Sequence, residues 1–400
     1  MSAALTIVII AMLIQQAFAY FSAVVLPNMG PAVAAGLDLD PNLVGYYTGL
    51  LYLCSSFGQV ACGAFILRFG AVRMSQISLF LMGAALMLGY AGQLWAFVLG
   101  AMAIGIGSSV STPASSHLLA RYSPPKYAPL IFSIKQTGVP VGGLMAGILV
   151  PLLLGWLDWR GAFFFCGAMS LTFGLMLQPI RKRFDADRQP SLSLKPGYIV
   201  GNMRLVLTTP TLRDLAVGML CFVGLQGLFG SYFVTYVSEV IGRPLHSANY
   251  FFSIAMSTAI GARILWGWVG SSLVPARRVI SGLALVMSIA AVGMGWLGTH
   301  QPSDLFIITV AVLFCISAVS WHGLLLSEIA RLAPPGQVGP VTGASLAFAT
   351  IGMMSYPTLY ALLVKFTGDH SLGFYIAAAP AFIMFIKLYL PPKHVEGAPV

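Results

Sequence analysis

Two basic side chains stand where a chain this apolar would not be expected to carry them. Lys135 lies in YAPLIFSIKQTGVPVGGLMAGILVPLLL (127–154), and Arg263 lies in AIGARILWGW (259–268). A lysine at the centre of an apolar span costs ~3 kcal/mol on insertion scales, so a partner or a function must offset it. A guanidinium presents a planar fork that matches a carboxylate with two hydrogen bonds, whereas an ammonium acts as a point charge. One of each suits a carboxylate or a small dianion. Asp185, Asp187, Asp214 and Glu396 fall in expected loops or a terminus on one side, and Asp38, Asp40, Asp158, Glu239, Asp304 and Asp369 on the other. Only Glu328, beside Arg331, lies near the end of a span. Two cations without a deep acid read as an anion site. The competing reading is that Lys135 bonds to carbonyls and hydroxyls such as those of Ser133 or Thr137, or snorkels.

Other polar side chains join the candidate substrate site. Trp321 and His322 stand in SAVSWHGLLLSE (317–328). A histidine changes charge near neutral pH and can carry a coupled proton, or it can be structural. The indole can stack on an organic substrate, with packing as its alternative. Gln16 and Gln226 occupy equivalent places 210 residues apart, and Gln59 matches Arg263 in a looser repeat. Each could hydrogen-bond substrate or simply link helices. Tyr20, Tyr46, Phe132 and Tyr356 are possible cavity walls. The five cysteines lie inside apolar spans, and neither they nor the six histidines have metal-ligand spacing. No Gly-x-Ser-x-Gly turn or phosphate loop appears, so an enzyme, a bound cofactor and a nucleotide-driven pump are not expected.

The elements that position these residues follow from composition. Of 400 residues, 58% are hydrophobic and 8% charged, with a mean hydropathy of +0.88. An ordinary soluble domain carries about 25% charged residues. Twelve stretches are long enough to span a bilayer, so the chain is expected to be an all-α membrane protein. The first stretch lacks a basic start and reads as a membrane helix rather than a cleaved signal. The net charge of +10 is topological rather than a nucleic-acid signal. Arg68, Arg73, Arg121, Lys126, Arg277, Arg278 and Arg331 follow even-numbered spans, and seven more, from Arg181 to Arg213, cluster between the sixth and seventh. The positive-inside rule then puts both termini in the cytoplasm. ARYSPP (120–125) recurs as ARLAPP (330–335), again 210 residues on. The expected organisation is therefore a six-helix bundle over 1–180, a cytoplasmic linker over 181–210 and a second, pseudo-symmetric six-helix bundle over 211–400.

A repeated six-helix design with a site between its halves is a transporter architecture. The loop after the second span reads GAFILRFGAVR, and Gly63, Arg68 and Gly70 match the conformational loop of the major facilitator superfamily. Leu67 replaces that motif's aspartate, and Ala71 and Val72 replace its basic pair. On these residues, the twelve spans and the repeat, the chain resembles that superfamily over its whole length. The fourth span lacks the arginine of the family's drug/proton antiporters, and GVPVGG (138–143) only approximates their fifth-span motif. The resemblance implies that the fifth and eighth spans are neighbours across the interface between halves. It also supports a substrate role for Arg263, because oxalate and monocarboxylate carriers of the superfamily use an arginine in the eighth span. Their oxalate members place the lysine on the eleventh span rather than the fifth, so the substrate does not carry over.

The expected function is a secondary carrier for a small organic anion, moved by alternating access, either with protons or by anion exchange. The alternatives are an exporter of drugs or amphipathic metabolites and a non-transporting sensor on a carrier fold. The expected partners are the anion, the lipid bilayer and protons, with no nucleic acid. The expected setting is a multi-pass monomer in the cytoplasmic membrane.

Overall fold

A computed structural model describes residues 2–38, 43–192 and 196–391. Asp40, Lys195, His394 and Glu396 lie outside the described residues. Seventeen α-helices account for the described architecture, with no strand among the described residues. The first group is α1 (Ala3–Leu37), α2 (Leu43–Phe69), α3 (Ala71–Leu88), α4 (Leu94–Ser109), α5 (Ser111–Tyr122), α6 (Ala128–Gln136), α7 (Gly138–Trp156) and α8 (Trp159–Met176). Two short helices follow, α9 (Gln178–Phe184) and α10 (Pro196–Thr208). The second group is α11 (Pro210–Thr235), α12 (Leu245–Ser272), α13 (Ala276–Thr299), α14 (Asp304–Ala318), α15 (His322–Leu332), α16 (Val338–Thr367) and α17 (His370–Tyr389). Among the described residues, eleven spans are long and apolar enough to cross a membrane, or twelve if α8 and α9, bent by 45° at their junction, form one. Their outward faces carry large apolar side chains such as Trp156, Leu305 and Phe366. Lipid can cover these faces, so a helix need not confine apolar residues to one stripe.

Three spans are interrupted midway, and the sequence explains two of the breaks. A proline supplies no N–H to the carbonyl four residues earlier. Pro113 leaves the carbonyl of Ser109 without that donor, and the α4–α5 span breaks at Val110. Pro140 does the same to Gln136, and the α6–α7 span breaks at Thr137. The α14–α15 span is interrupted at Val319–Trp321 without a proline. There Ser320 turns its hydroxyl to the carbonyls of Ala259 and Cys315. Ser320 lies 210 residues after Val110, so the two interruptions follow the repeat.

Small residues let the helices approach. A side chain at Gly138 would collide with the Leu13 carbonyl, and one at Gly142 with that of Ala17, so α7 lies directly on α1. The two groups meet where α2 packs on α16, α5 on α16, and α6 on α12 and α15. α7, which continues the α6 span away from the Arg121 end, scarcely touches α12. At the end bearing Arg68 and Arg121, Gly63 lies against Pro340, and Gly267 and Gly323 both press on Ser133. The two groups are therefore packed together at this basic end.

Candidate functional site

Lys135 occupies the last turn of α6 and is 1% exposed. Its Nζ donates to Gln16 Oε1 at 2.6 Å and to Gln136 Oε1 at 3.1 Å. Gln16 comes from α1, which the glycines beside Lys135 admit, and its Oε1 also accepts from the Thr112 hydroxyl at 3.0 Å. Lys135 is thus held by two side-chain amides of its own group. An ammonium has three donors, and two of these bonds leave one over.

Arg263 projects from α12 and is also 1% exposed. Its Nε donates to the Val319 carbonyl at 3.0 Å, an acceptor at the α14–α15 interruption. Its Nη1 donates to the Gln136 carbonyl, at the α6–α7 break and in the other group. Its Nη2 is buried and has no partner among the described residues. Lys135 and Arg263 lie close enough for each charge to act on the other, and the Tyr20 hydroxyl lies within the field of Arg263. Gln136 joins the two cations, one through its side chain and one through its main chain. Sequence reasoning passed it over, although Pro140 four residues later was the signal.

No described carboxylate pairs with either cation. Glu328 binds Arg331 at 2.8 Å, Asp214 binds Lys387 at 2.7 Å and Asp304 binds Arg243 at 2.8 Å. Asp158 and Asp369 cap α8 and α17, while Asp185 and Asp187 lie at the basic end.

His322 belongs to the same cluster. Its Nδ1 lies 3.2 Å from the Val319 carbonyl that also accepts from Arg263 Nε. A carbonyl only accepts, so Nδ1 carries the hydrogen and Nε2 is left to take a proton. Trp321 is fully buried, donates its Nε1–H to the Ala318 carbonyl at 2.8 Å, stacks on His322 and meets the edge of Phe222. This geometry favours packing over contact with substrate. Gln226 and Gln59 each have a buried side-chain oxygen without a partner among the described residues, but no described hydrogen bond joins either to the cations. The structure therefore brings together Lys135, Arg263, Gln16 and His322, and leaves Gln59 and Gln226 apart from that network.

The loop residues form a second construction at the basic end. Gly70 has φ +99°, a conformation that suits glycine. Asp185 reaches this turn and accepts from the N–H groups of Val72 and Arg73 at 2.8 and 2.9 Å, at the start of α3. Arg68 donates to the Leu192 carbonyl at 3.3 Å. The chain after α9 thus straps down the loop whose own aspartate position is Leu67. Asp187 completes the strap, binding His117 at 2.8 Å and Arg121 at 2.9 Å. Burial pushes the Asp187 carboxyl up, but the His117 hydrogen bond and the His117 and Arg121 charges outweigh it and hold it below the ordinary value. For Asp185, burial outweighs the two N–H bonds and raises it.

A helical transmembrane fold in two groups of spans, with buried cations near the junction, narrows the identity to membrane carriers. The sequence model described as Major Facilitator Superfamily matches residues 11–327. The chain belongs to the Major Facilitator Superfamily. It is therefore a multi-pass membrane protein of a transporter family, not an enzyme. It is 22% identical over 393 residues to the uncharacterized transporter YybO of Bacillus subtilis, covering 92% of this chain and 89% of that one. It is 22% identical over 384 residues to a gentisate transporter of Corynebacterium glutamicum, covering 92% and 83%. The solved structure of the human organic anion transporter MFSD10 superposes with a TM-score of 0.74 at 17% identity, covering 97% of this chain and all of that one. That likeness shows the shared fold.

Proposed function

We propose that this chain is a secondary active transporter for a small organic anion, a carboxylate, bound between Lys135 and Arg263. The observation that carries the reading is the unpartnered Nη2 of Arg263, a buried charged donor beside a lysine with a spare N–H and no described acid. Leaving such a donor unpaired is costly, and a carboxylate supplies the missing acceptor. The likeness to a gentisate transporter supports an anionic substrate. With the basic end and both termini in the cytoplasm of the cytoplasmic membrane, the packed end is the cytoplasmic one. Alternating access follows when the halves part at that end and close at the other.

The same cluster supports proton coupling. A proton on His322 would add charge beside Arg263 and Lys135, and an anion at Arg263 offsets it. Anion and proton then favour each other's binding, as cotransport requires. The test is flux in proteoliposomes with acetate, benzoate and succinate as separate probes. Uptake of at least one, accelerated by an inward proton gradient and lost in Arg263→Gln, is expected. No uptake or exchange of any carboxylate by an intact, folded protein overturns the reading.

A further inference from the structure

The Arg263–Gln136 bond crosses between the two groups of helices, and the sequence explains why that carbonyl is free to accept it. In a helix the carbonyl of residue i accepts the N–H of residue i+4. For Gln136 that residue is Pro140, which has no N–H. On one side, the Val141 N–H bonds the Thr137 carbonyl at 3.0 Å, and on the other the Thr137 N–H turns back to Ile134 at 3.1 Å. The ladder thus resumes around one vacant acceptor, and Arg263 takes it. Any motion that parts the halves at the basic end must pull Arg263 from this oxygen.

Building on the anion-site reading, we propose that Gln136 is the positioning residue through which a bound anion releases the packed end. In the empty protein its freed main-chain oxygen stands in for a carboxylate oxygen on Arg263. Pulling the two apart then leaves buried guanidinium donors unpaired, and such groups carry their full desolvation penalty. A carboxylate on Arg263 supplies replacement acceptors in charge-assisted bonds, which are stronger than those to a neutral carbonyl. The loaded site can therefore let go of Gln136 where the empty site cannot. This gives the ligand the differential affinity for two conformations that any ligand-driven change requires. The Gln136 side chain has a separate task, holding the Lys135 ammonium from the same helix end.

Pro140→Ala tests the main-chain role, because it restores the N–H that competes for the Gln136 oxygen. Ser123 and Ala330 line one cavity at the basic end, one at the end of α5 and the other on α15. Cysteines placed at both, in full-length protein with its five native cysteines replaced by alanine, report closure through the rate of bridging by a short bifunctional thiol reagent. Without ligand, Pro140→Ala is expected to bridge about threefold to tenfold more slowly than the parent. Acetate, benzoate or succinate should slow the parent toward that level and change the variant little. Equal bridging by the empty parent and Pro140→Ala overturns the proposal. So does a Gln136→Leu variant, which keeps the carbonyl, loosening the empty protein as much as Pro140→Ala does. If Pro140→Ala loosens the closure but none of the three carboxylates affects the parent, the tie stands and the anion-site reading fails.

Discussion

The two buried cations are equally enclosed but differently held. Lys135 is held by side-chain amides, those of Gln16 and Gln136, both within its own half. Arg263 is held through Nε and Nη1 by main-chain carbonyls at two helix interruptions, one of them in the opposite half, and its Nη2 has no partner among the described residues. When the halves move, Lys135 keeps both partners, whereas Arg263 must exchange one. Lys135 is therefore a fixed charge that makes the site attractive to anions, and Arg263 is the group whose bonding registers both the anion and the conformation. The difference rests on backbone chemistry: a carbonyl freed by proline cannot change rotamer, so it marks one relative position of the halves.

Mutations at the two cations should separate these roles. The largest effect is expected at Arg263. Arg263→Gln should weaken carboxylate binding by about a hundredfold, the typical consequence of losing a hydrogen-bonded charge partner. Arg263→Lys should fail as well, because an ammonium cannot reach two carbonyls and a ligand as a fork does. Lys135→Met should cost about tenfold in affinity and leave bridging between Ser123 and Ala330 cysteines in the empty protein unchanged. If Lys135→Met loosens the closure as much as Pro140→Ala, the contrast between a fixed and an exchanging cation is lost.

Next come the glycines that let the basic end close. An added Cβ at Gly323 would lie 2.3 Å from Ser133 Cα, and one at Gly267 2.6 Å from its Cβ. Gly323→Ala should therefore disfavour the packed end and speed thiol labelling of a single cysteine at Ser123 severalfold, in proportion to an overpacking cost of about 1–3 kcal/mol. Unchanged labelling would show that closure there does not depend on this contact. His322→Gln should abolish gradient-driven uptake while sparing counterflow. Surviving gradient-driven uptake would assign the proton to another carrier.

The smallest effect concerns the strap. Asp187 is held below its ordinary value, so its contribution is present above the unfolded carboxylate value of about 3.9 and is lost as pH falls through the lower folded value. It is partly exposed, so Asp187→Asn should cost no more than about 1 kcal/mol at neutral pH. Asp185 is raised by burial, so its charged form contributes less than its two N–H bonds suggest, and Asp185→Asn should be milder still near neutrality. Chemical denaturation of both variants from pH 7 toward pH 2 checks the sign, with the Asp187 difference held down to about pH 4 and shrinking below it as the carboxylate protonates.

Much of this construction is legible in the amino-acid sequence. Apolar length and the 210-residue repeat identified an all-helical carrier, and the conformational-loop glycines and Arg68 pointed to the superfamily. The intramembrane cations stood out because a bilayer makes each one costly. Gly138 and Gly142 are small enough to let a helix come close, and the structure shows that helix to be α1. What stayed hidden was partner choice. Nothing in the span of Lys135 indicates that Gln16 lies within 2.6 Å, because that depends on which faces of two distant helices meet. Gln136 was missed because its polar chemistry lies largely in the backbone, where residue type carries no label. Asp185 was missed for a related reason: the motif's own aspartate position is Leu67, and the carboxylate arrives from more than a hundred residues away. For Trp321 the sequence left stacking on substrate and packing open, and the side chain packs against Phe222 and His322.

The central claim is that Lys135 and Arg263 together bind a carboxylate, and thermal unfolding of the purified protein tests it most directly. A ligand that binds only the folded state raises its stability by RT ln(1 + [L]/Kd), about 2.7 kcal/mol at a hundred times Kd. Acetate, benzoate, succinate and hydroxylated carboxylates, each titrated against chloride at matched ionic strength, should include at least one that raises the Tm of the parent. The same titration should leave Arg263→Gln unmoved and shift Lys135→Met only at higher concentrations. Stabilisation of the parent and Arg263→Gln by the same amount, or of neither by any carboxylate, would contradict the account and leave the two cations as structural charges held by Gln16, Gln136 and Val319.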